Sequence, residues 1–147
     1  MTLQQNTNLC RCACSSIRRA TRAVTQFYDK FMKNTGLTTP QFSLLVNIYK
    51  LGSISVNDLA DKLLMDQTTV TRNITVLKKY SYVSIKKEES DARKKFISLT
   101  KEGLSKVTEI LPLWENTQIQ IEAGIGKERY QLFLDVLDDI EKLTISD

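Results

Sequence analysis

Between Gln67 and Lys79 the sequence combines four threonines with three basic residues, an unusual composition for one short amphipathic segment. At 100° per residue, Val70, Ile74 and Leu77 fall on one side of a helix, so the polar residues face the other way. That polar face comprises Thr68, Arg72, Thr75 and Lys79, with Gln67, Thr69 and Thr71 beside the helix start. Short hydroxyls permit close approach to another molecule, and an arginine fork matches the O6 and N7 atoms of guanine in a DNA major groove.

An ordinary solvated face is the alternative explanation for this segment. Threonine weakens a helix, so four threonines would be a poor choice for a surface with no other role. The N-terminus of a helix also presents free N–H groups to a phosphate. The composition therefore favours a face that binds nucleic acid.

Positive charge is concentrated in the same part of the chain, whose overall net charge is +4. Residues 67–101 contain nine Lys or Arg and three Asp or Glu, whereas the remainder contains 12 bases and 14 acids. A basic segment beside nearly neutral surroundings is typical of a polyanion binder. A solvated lysine-rich hairpin would show the same charge pattern.

A charged segment, residues 86–95, lies between two β-prone runs at 82–85 and 95–99. This pattern predicts a hairpin with a long tip, which would form a wing over residues 83–99. The tip carries five bases, and Arg93 is the candidate to enter a narrow minor groove, with Lys94 beside it. We expect Asp91 to hold the Arg93 side chain. A solubilising loop is the alternative, and both roles are compatible.

Apolar periodicity and capping residues predict the elements that position these two features. The expected N-caps are Thr39, Ser55, Asp66 and Thr100. Gly124 and Gly126 are expected to break the chain before a last helix. The predicted fold is mainly α (α+β), a winged helix–turn–helix with long N- and C-terminal dimerisation helices. Its order is helix, helix, short strand, helix, helix, strand, strand, helix, helix.

Several function classes lack the residues that they need. The chain has no histidine, which is the commonest general base, and it has no glycine-rich phosphate loop or nucleophile elbow. We therefore expect no enzyme activity, no cofactor and no metal site. No apolar run approaches the roughly 18–20 residues of a membrane span, and the N-terminus lacks the layout of a secretory signal. A cytoplasmic location is the expectation.

Three segments together resemble the MarR (multiple-antibiotic-resistance regulator) family of transcription factors. They are LTTPQFSLL (37–45), DLADKLLMDQTTVTRNITVLKK (58–79) and DARKKFISLTKEG (91–103). The last fits the family pattern Asp-x-Arg, a strand, then Leu-Thr-x-x-Gly, through Asp91, Arg93, Leu99, Thr100 and Gly103. One departure is Ser81, where many members have glycine after the DNA-reading helix.

The resemblance implies a single MarR-type domain over 1–147, with a DNA-binding lobe over 37–100 and dimerisation helices over 10–34 and 101–147. It implies a homodimer on double-stranded DNA with a pseudo-palindromic operator, more often repressing than activating. It also implies release by a ligand or an oxidant. A small aromatic or phenolic ligand would bind between the dimerisation helices and the lobe, where Tyr28, Phe31 and Tyr49 could line a pocket or simply pack in the core.

The cysteines lie at positions 10, 12 and 14. Cys10 and Cys14 fall on the apolar stripe of the first helix with Ile17, where small thiols are usually packing residues. Cys14 also resembles in its spacing the peroxide-sensing cysteine of the organic-hydroperoxide branch, although Arg18 and Thr39 replace tyrosines common there. Packing and redox sensing by Cys14 and Cys10 stay open, whereas metal binding is disfavoured because the chain has no histidine and its three thiols lie on two faces. Operator affinity before and after mild peroxide, in wild type and Cys14→Ser, separates sensing from packing.

The function expected from the sequence is a sequence-specific DNA-binding transcriptional regulator, most often a repressor. The alternative, from another class, is a dimeric winged-helix protein-interaction module that no longer binds DNA. An adapter has no need for a basic face, so the polar helix face and the Arg93 tip distinguish the two hypotheses.

Overall fold

The computed structural model describes residues 12–145, which form six helices and three short strands. The elements are α1 (Ala13–Met32), α2 (Thr39–Leu51), β1 (Ile54–Ser55), α3 (Val56–Lys62), α4 (Gln67–Lys79), β2 (Val83–Lys87), β3 (Lys95–Leu99), α5 (Lys101–Ile125) and α6 (Lys127–Ile145). This is the predicted element order, and the winged helix–turn–helix is confirmed. No helix within this range has the length and apolarity needed to cross a membrane.

The chain divides into two compact units, one up to Leu111 and one from Pro112 onward. In the first unit, α2, α3 and α4 bury their apolar faces around Phe42, Leu45 and Leu59, all of which are fully inaccessible. In the second unit, Pro112 lies inside α5, and α6 begins directly after Gly126.

The three-stranded antiparallel sheet has the order β1-β3-β2. Its centre is Ile97 of β3, which pairs with Ile54 on one side and Ile85 on the other and is fully buried. The pairing of Lys87 with Lys95 closes the regular part of the hairpin. The sheet therefore anchors the wing, residues 83–99, to the core of the first unit.

Side-chain caps begin the helices of the lobe, as the sequence predicts for Ser55 and Asp66. The prediction of Thr39 as a cap is wrong by one residue. Thr38 caps α2 through a reciprocal box with Gln41, while the Thr39 hydroxyl donates to Asp29 at 2.6 Å. Pro40 favours this register because it fits the first turn of a helix.

Gly124 does not break the chain, contrary to expectation. It lies within α5, and only Gly126, with φ +95°, takes a left-handed conformation after the helix. One glycine is enough here because a single residue in that conformation ends a helix.

Candidate nucleic-acid interface

The core face of α4 is the one that its periodicity predicts. Val70, Ile74 and Leu77 are at most 2% exposed, and Asp66 caps the helix by accepting the Thr69 N–H at 3.0 Å. We call the opposite side the outer face of α4. It consists of Thr68, Arg72, Thr75 and Lys79, all exposed. The predicted neighbours Gln67, Thr69 and Thr71 are exposed as well.

Several polar groups of α4 are already used inside the helix. The Thr69 hydroxyl donates to Asp66 Oδ2 at 3.3 Å, and the Asn73 amide donates to the Thr69 carbonyl at 3.0 Å. The Thr75 hydroxyl donates to the Thr71 carbonyl at 2.8 Å. Among the described residues, the hydroxyls of Thr68 and Thr71 make no such bond. The threonines of this helix therefore do not present equivalent chemistry to a partner.

The wing reaches the start of α4. A cleft of about 440 Å³ is lined by Gln67 and Thr71 from α4 and by Arg93 and Lys94 from the hairpin tip. The structure therefore brings together four of the predicted site residues. The two on α4 lie more than 20 positions before the two on the hairpin tip. The outer face of α4 continues from this cleft along the helix.

Six residues that line the cleft were not predicted as site residues, and Asn57 and Lys95 are two of them. Asn57 lies in the first turn of α3, and Lys95 begins β3, and both line the same space. Lys95 belongs to the basic run, so its charge was a signal. No sequence signal pointed to Asn57, because its position depends on how α3 packs beside the wing.

The hairpin tip is held by its own backbone. Glu88 N–H donates to the Lys94 carbonyl, Lys94 N–H donates to the Asp91 carbonyl, and each distance is 3.0 Å. Asp91 does not grip the Arg93 side chain as expected. Its carboxylate accepts the Arg93 backbone N–H at 3.0 Å, because a side chain two residues earlier reaches the main chain more readily than a long guanidinium. The Arg93 guanidinium is therefore left exposed.

All nine bases of residues 67–101 are exposed. In the part of the chain that the structure describes, ion pairs join Lys106 to Glu109 and Lys142 to Asp139, and none involves those nine bases. Cations that no carboxylate neutralises retain their full attraction for a polyanion. The surface made by α4 and the wing thus carries exposed positive charge that no carboxylate pairs in the part of the chain described.

A joint of three backbone segments connects α4, the wing and α5. Thr100 donates its hydroxyl to the Ser81 carbonyl at 2.6 Å, and it accepts the Gly103 N–H at 3.0 Å. Its own N–H donates to the Tyr82 carbonyl at 3.1 Å. Gly103 lies so close that an added Cβ would stand 2.0 Å from the Tyr82 oxygen. The Leu-Thr-x-x-Gly pattern is therefore the contact that fixes α5 against the end of α4.

Ser81 forms the turn after α4 with a φ of +61°. Residues other than glycine rarely take this left-handed conformation, which is a physical reason for the glycine that the family resemblance implies at this position. Here the Thr100 hydroxyl donates a hydrogen bond to the Ser81 carbonyl. The turn after α4 is therefore closed with serine at this position.

The candidate redox residues lie at the start of α1, apart from the basic surface. Cys12 caps the helix, its sulfur accepting the Ser15 N–H at 3.2 Å, and Cys14 is exposed. In the single chain, the residues that α1 buries are Tyr28 and Met32, near its other end. Cys14 is therefore not packed on a buried stripe there. Cys10 lies outside the described residues. A redox role for these thiols stays a prediction.

These features define a winged helix–turn–helix protein with a basic surface built from α4 and the wing. The MarR family profile matches residues 37–95. The chain is 32% identical to the Mycobacterium tuberculosis transcriptional regulator MOSR, solved in complex with DNA, with a TM-score of 0.77 over 91% of this chain and 98% of that one. The chain belongs to the MarR family, as the sequence resemblance predicts.

Two further proteins are similar to this chain, one in sequence and one in fold. The chain is 29% identical over 108 residues to an uncharacterised helix–turn–helix regulator, YdgJ of Bacillus subtilis, covering 74% of this chain and 66% of that protein. The chain thus spans just under two thirds of the length of the curated relatives that it matches. The Bordetella bronchiseptica protein BpsR, whose DNA binding is regulated by 6-hydroxynicotinic acid, shares the fold, with a TM-score of 0.80 at 23% identity over 88% and 93% of the chains.

Proposed function

We propose that this protein is a sequence-specific DNA-binding transcriptional regulator that acts in the cytoplasm as a repressor. The observation that carries the proposal is the unpaired basic surface that joins α4 to the wing. Phosphate contacts supply most of the affinity of DNA-binding proteins, and they require cations that are not already neutralised. A protein-interaction module has no need for nine exposed bases spread over α4, the wing and the start of α5.

We propose a groove of the DNA for each part of this surface. A helix of 13 residues is about 20 Å long and fits the major groove, which is about 12 Å wide. Arg72 lies near the middle of its outer face, at the depth where a guanidinium can reach a guanine. The wing then lies beside the helix, so that Arg93 and Lys94 face the adjacent backbone and minor groove.

We propose that the protein binds DNA as a homodimer. Large apolar side chains are exposed along α5 and α6. They are Leu111, Leu113, Ile119, Ile125, Leu132, Phe133, Val136, Leu143 and Ile145. Monomers rarely expose apolar surface on this scale, so a second copy of the chain is the proposed cover. A two-fold dimer places two copies of α4 on DNA and calls for a pseudo-palindromic site.

One experiment tests the DNA and dimer proposals together. Sedimentation of a fluorescent duplex taken from upstream of the protein's own coding sequence should show two chains per duplex. With roughly six phosphate contacts, affinity should fall on the order of a thousandfold between 50 and 200 mM salt. An unrelated duplex of equal length is the control and should bind more weakly. If the affinity changed neither with salt concentration nor with duplex sequence, the result would contradict the proposed regulator function and favour the protein-interaction module.

A small aromatic ligand is proposed to control the affinity for DNA. BpsR, with the same fold, is described as regulated in its DNA binding by an aromatic acid. In this chain Tyr28 is buried, Phe31 is half-buried and Tyr49 is exposed, so the three predicted lining residues do not share one environment. Titrating 6-hydroxynicotinic acid, salicylate and phenol into the protein–duplex complex should lower the anisotropy of the labelled duplex with at least one of them. An unchanged signal with all three compounds would count against this control.

A further inference from the structure

We infer that Thr75 recognises a thymine through its methyl group and not through its hydroxyl. The inference rests on the proposed binding of α4 in the major groove and adds a base preference to it. The juxtaposition that carries it is the hydrogen bond from Thr75 Oγ1 to the Thr71 carbonyl, one turn earlier on the exposed side of α4.

That hydrogen bond determines what Thr75 offers to a base. At 2.8 Å the hydroxyl proton is fully used inside the helix, which is a common arrangement for threonine at this spacing. The side chain then has no free donor, Oγ1 can only accept a hydrogen bond, and the Cγ2 methyl is the apolar group that this exposed residue offers. In the major groove, the apolar partner of a threonine methyl is the 5-methyl group of thymine.

The position of Thr75 places that contact beside the one proposed for Arg72. Three residues of helix separate them, which is a rise of about 4.5 Å, and base pairs are spaced by about 3.4 Å. Both side chains are exposed, while Val70, Ile74 and Leu77 are buried on the other side. The recognised thymine should therefore lie within about two base pairs of the guanine bound by Arg72.

Thr71 provides a matched contrast on the same helix. Its carbonyl accepts the Thr75 bond, yet within residues 12–145 its own hydroxyl makes no hydrogen bond. Thr71 also lines the cleft with Arg93, so its hydroxyl is available as a donor. A Thr→Ser change at position 71 removes a methyl one turn away from the proposed contact and leaves that contact intact.

The test uses the full-length protein and a 30-base-pair duplex selected by it from a random library. Deoxyuridine then replaces thymidine at one position at a time, which removes a single methyl group from the DNA. At one position, wild type should lose about fourfold in affinity, the value expected for one buried methyl group at about 0.8 kcal/mol. Thr75→Val, which keeps the methyl, should bind and respond like wild type.

Thr75→Ser removes the methyl from both chains of the dimer, so it should bind the thymidine duplex on the order of sixteenfold more weakly, and it should show no further loss with deoxyuridine at that position. Thr71→Ser should retain the full deoxyuridine effect. Weak binding by Thr75→Val with normal binding by Thr75→Ser would overturn the inference, because it would show that the hydroxyl is read. The same deoxyuridine effect in Thr75→Ser as in wild type would also overturn it. Failure of wild type to select any duplex would instead overturn the proposed function itself.

Discussion

Replacing Gly103 by alanine should lower the free energy of unfolding by about 3 kcal/mol, the upper end of the usual cost of overpacking. The added Cβ would stand 2.0 Å from the Tyr82 oxygen and 2.9 Å from its carbonyl carbon. Both are backbone atoms, so no side chain can rotate away to relieve the clash. The same Tyr82 carbonyl accepts the Thr100 N–H, so the start of α5 must move as well. Urea unfolding followed by far-UV circular dichroism measures the change.

Gly124→Ala is the matched control in the same helix. No atom lies within 4 Å of a Cβ added there, so the substitution meets open space. Alanine should therefore stabilise the helix by about 0.5–1 kcal/mol, because glycine is the poorer helix former. If Gly103→Ala unfolded at the same urea concentration as wild type, the joint between Tyr82 and α5 would not be the tight contact described above.

Arg72→Ala should abolish most of the preference for the selected duplex over an unrelated one, reducing affinity for the selected duplex about tenfold to a hundredfold. Affinity for the unrelated duplex should change little, because a base contact contributes only where the correct base is present. Fluorescence anisotropy at a fixed salt concentration, with both duplexes, gives the ratio directly.

Two arginine variants make this prediction specific. Arg93→Ala removes an arginine side chain from the wing. Its loss of affinity should depend on the base pairs at the edges of each half-site, where the minor groove is narrow. Arg19→Ala removes an exposed arginine of α1, which belongs to neither α4 nor the wing, and should bind both duplexes like wild type. An equal loss on all sequences for Arg72→Ala and Arg93→Ala would contradict the division between base and shape recognition.

Local rules were enough to predict the elements of the lobe. The spacing of Val70, Ile74 and Leu77 sets the buried face of α4 because a helix repeats every 3.6 residues, and burial then leaves the polar face exposed. The caps at Ser55 and Asp66 follow from side chains that reach N–H groups three residues ahead. The Thr39 cap was misplaced by one residue because Thr38 and Thr39 satisfy the same rule.

Helix periodicity and capping rules do not predict contacts between segments that are distant in sequence. The cleft that joins Gln67 and Thr71 to Arg93 exists because Ile97 packs at the centre of the sheet and holds the wing beside α4. The same sheet places Lys95 in that cleft, and the packing of α3 beside the wing places Asn57 there. Asp91 was expected beside the Arg93 side chain, but the turn geometry directs its carboxylate to the backbone.

The sequence by itself determined the helix periods, the basic segment and the residue types of the outer face of α4, because each depends on neighbours within a few positions. Only the tertiary structure decided that Gly103 abuts Tyr82, that Thr100 closes the turn at Ser81, and that the wing meets the start of α4. It also showed which threonine hydroxyl is already bonded, since rotamer choice depends on the local packing of the folded helix. Packing between segments remote in sequence sets the contacts of Gly103, of Thr100 and of the wing, and no local pattern encodes them.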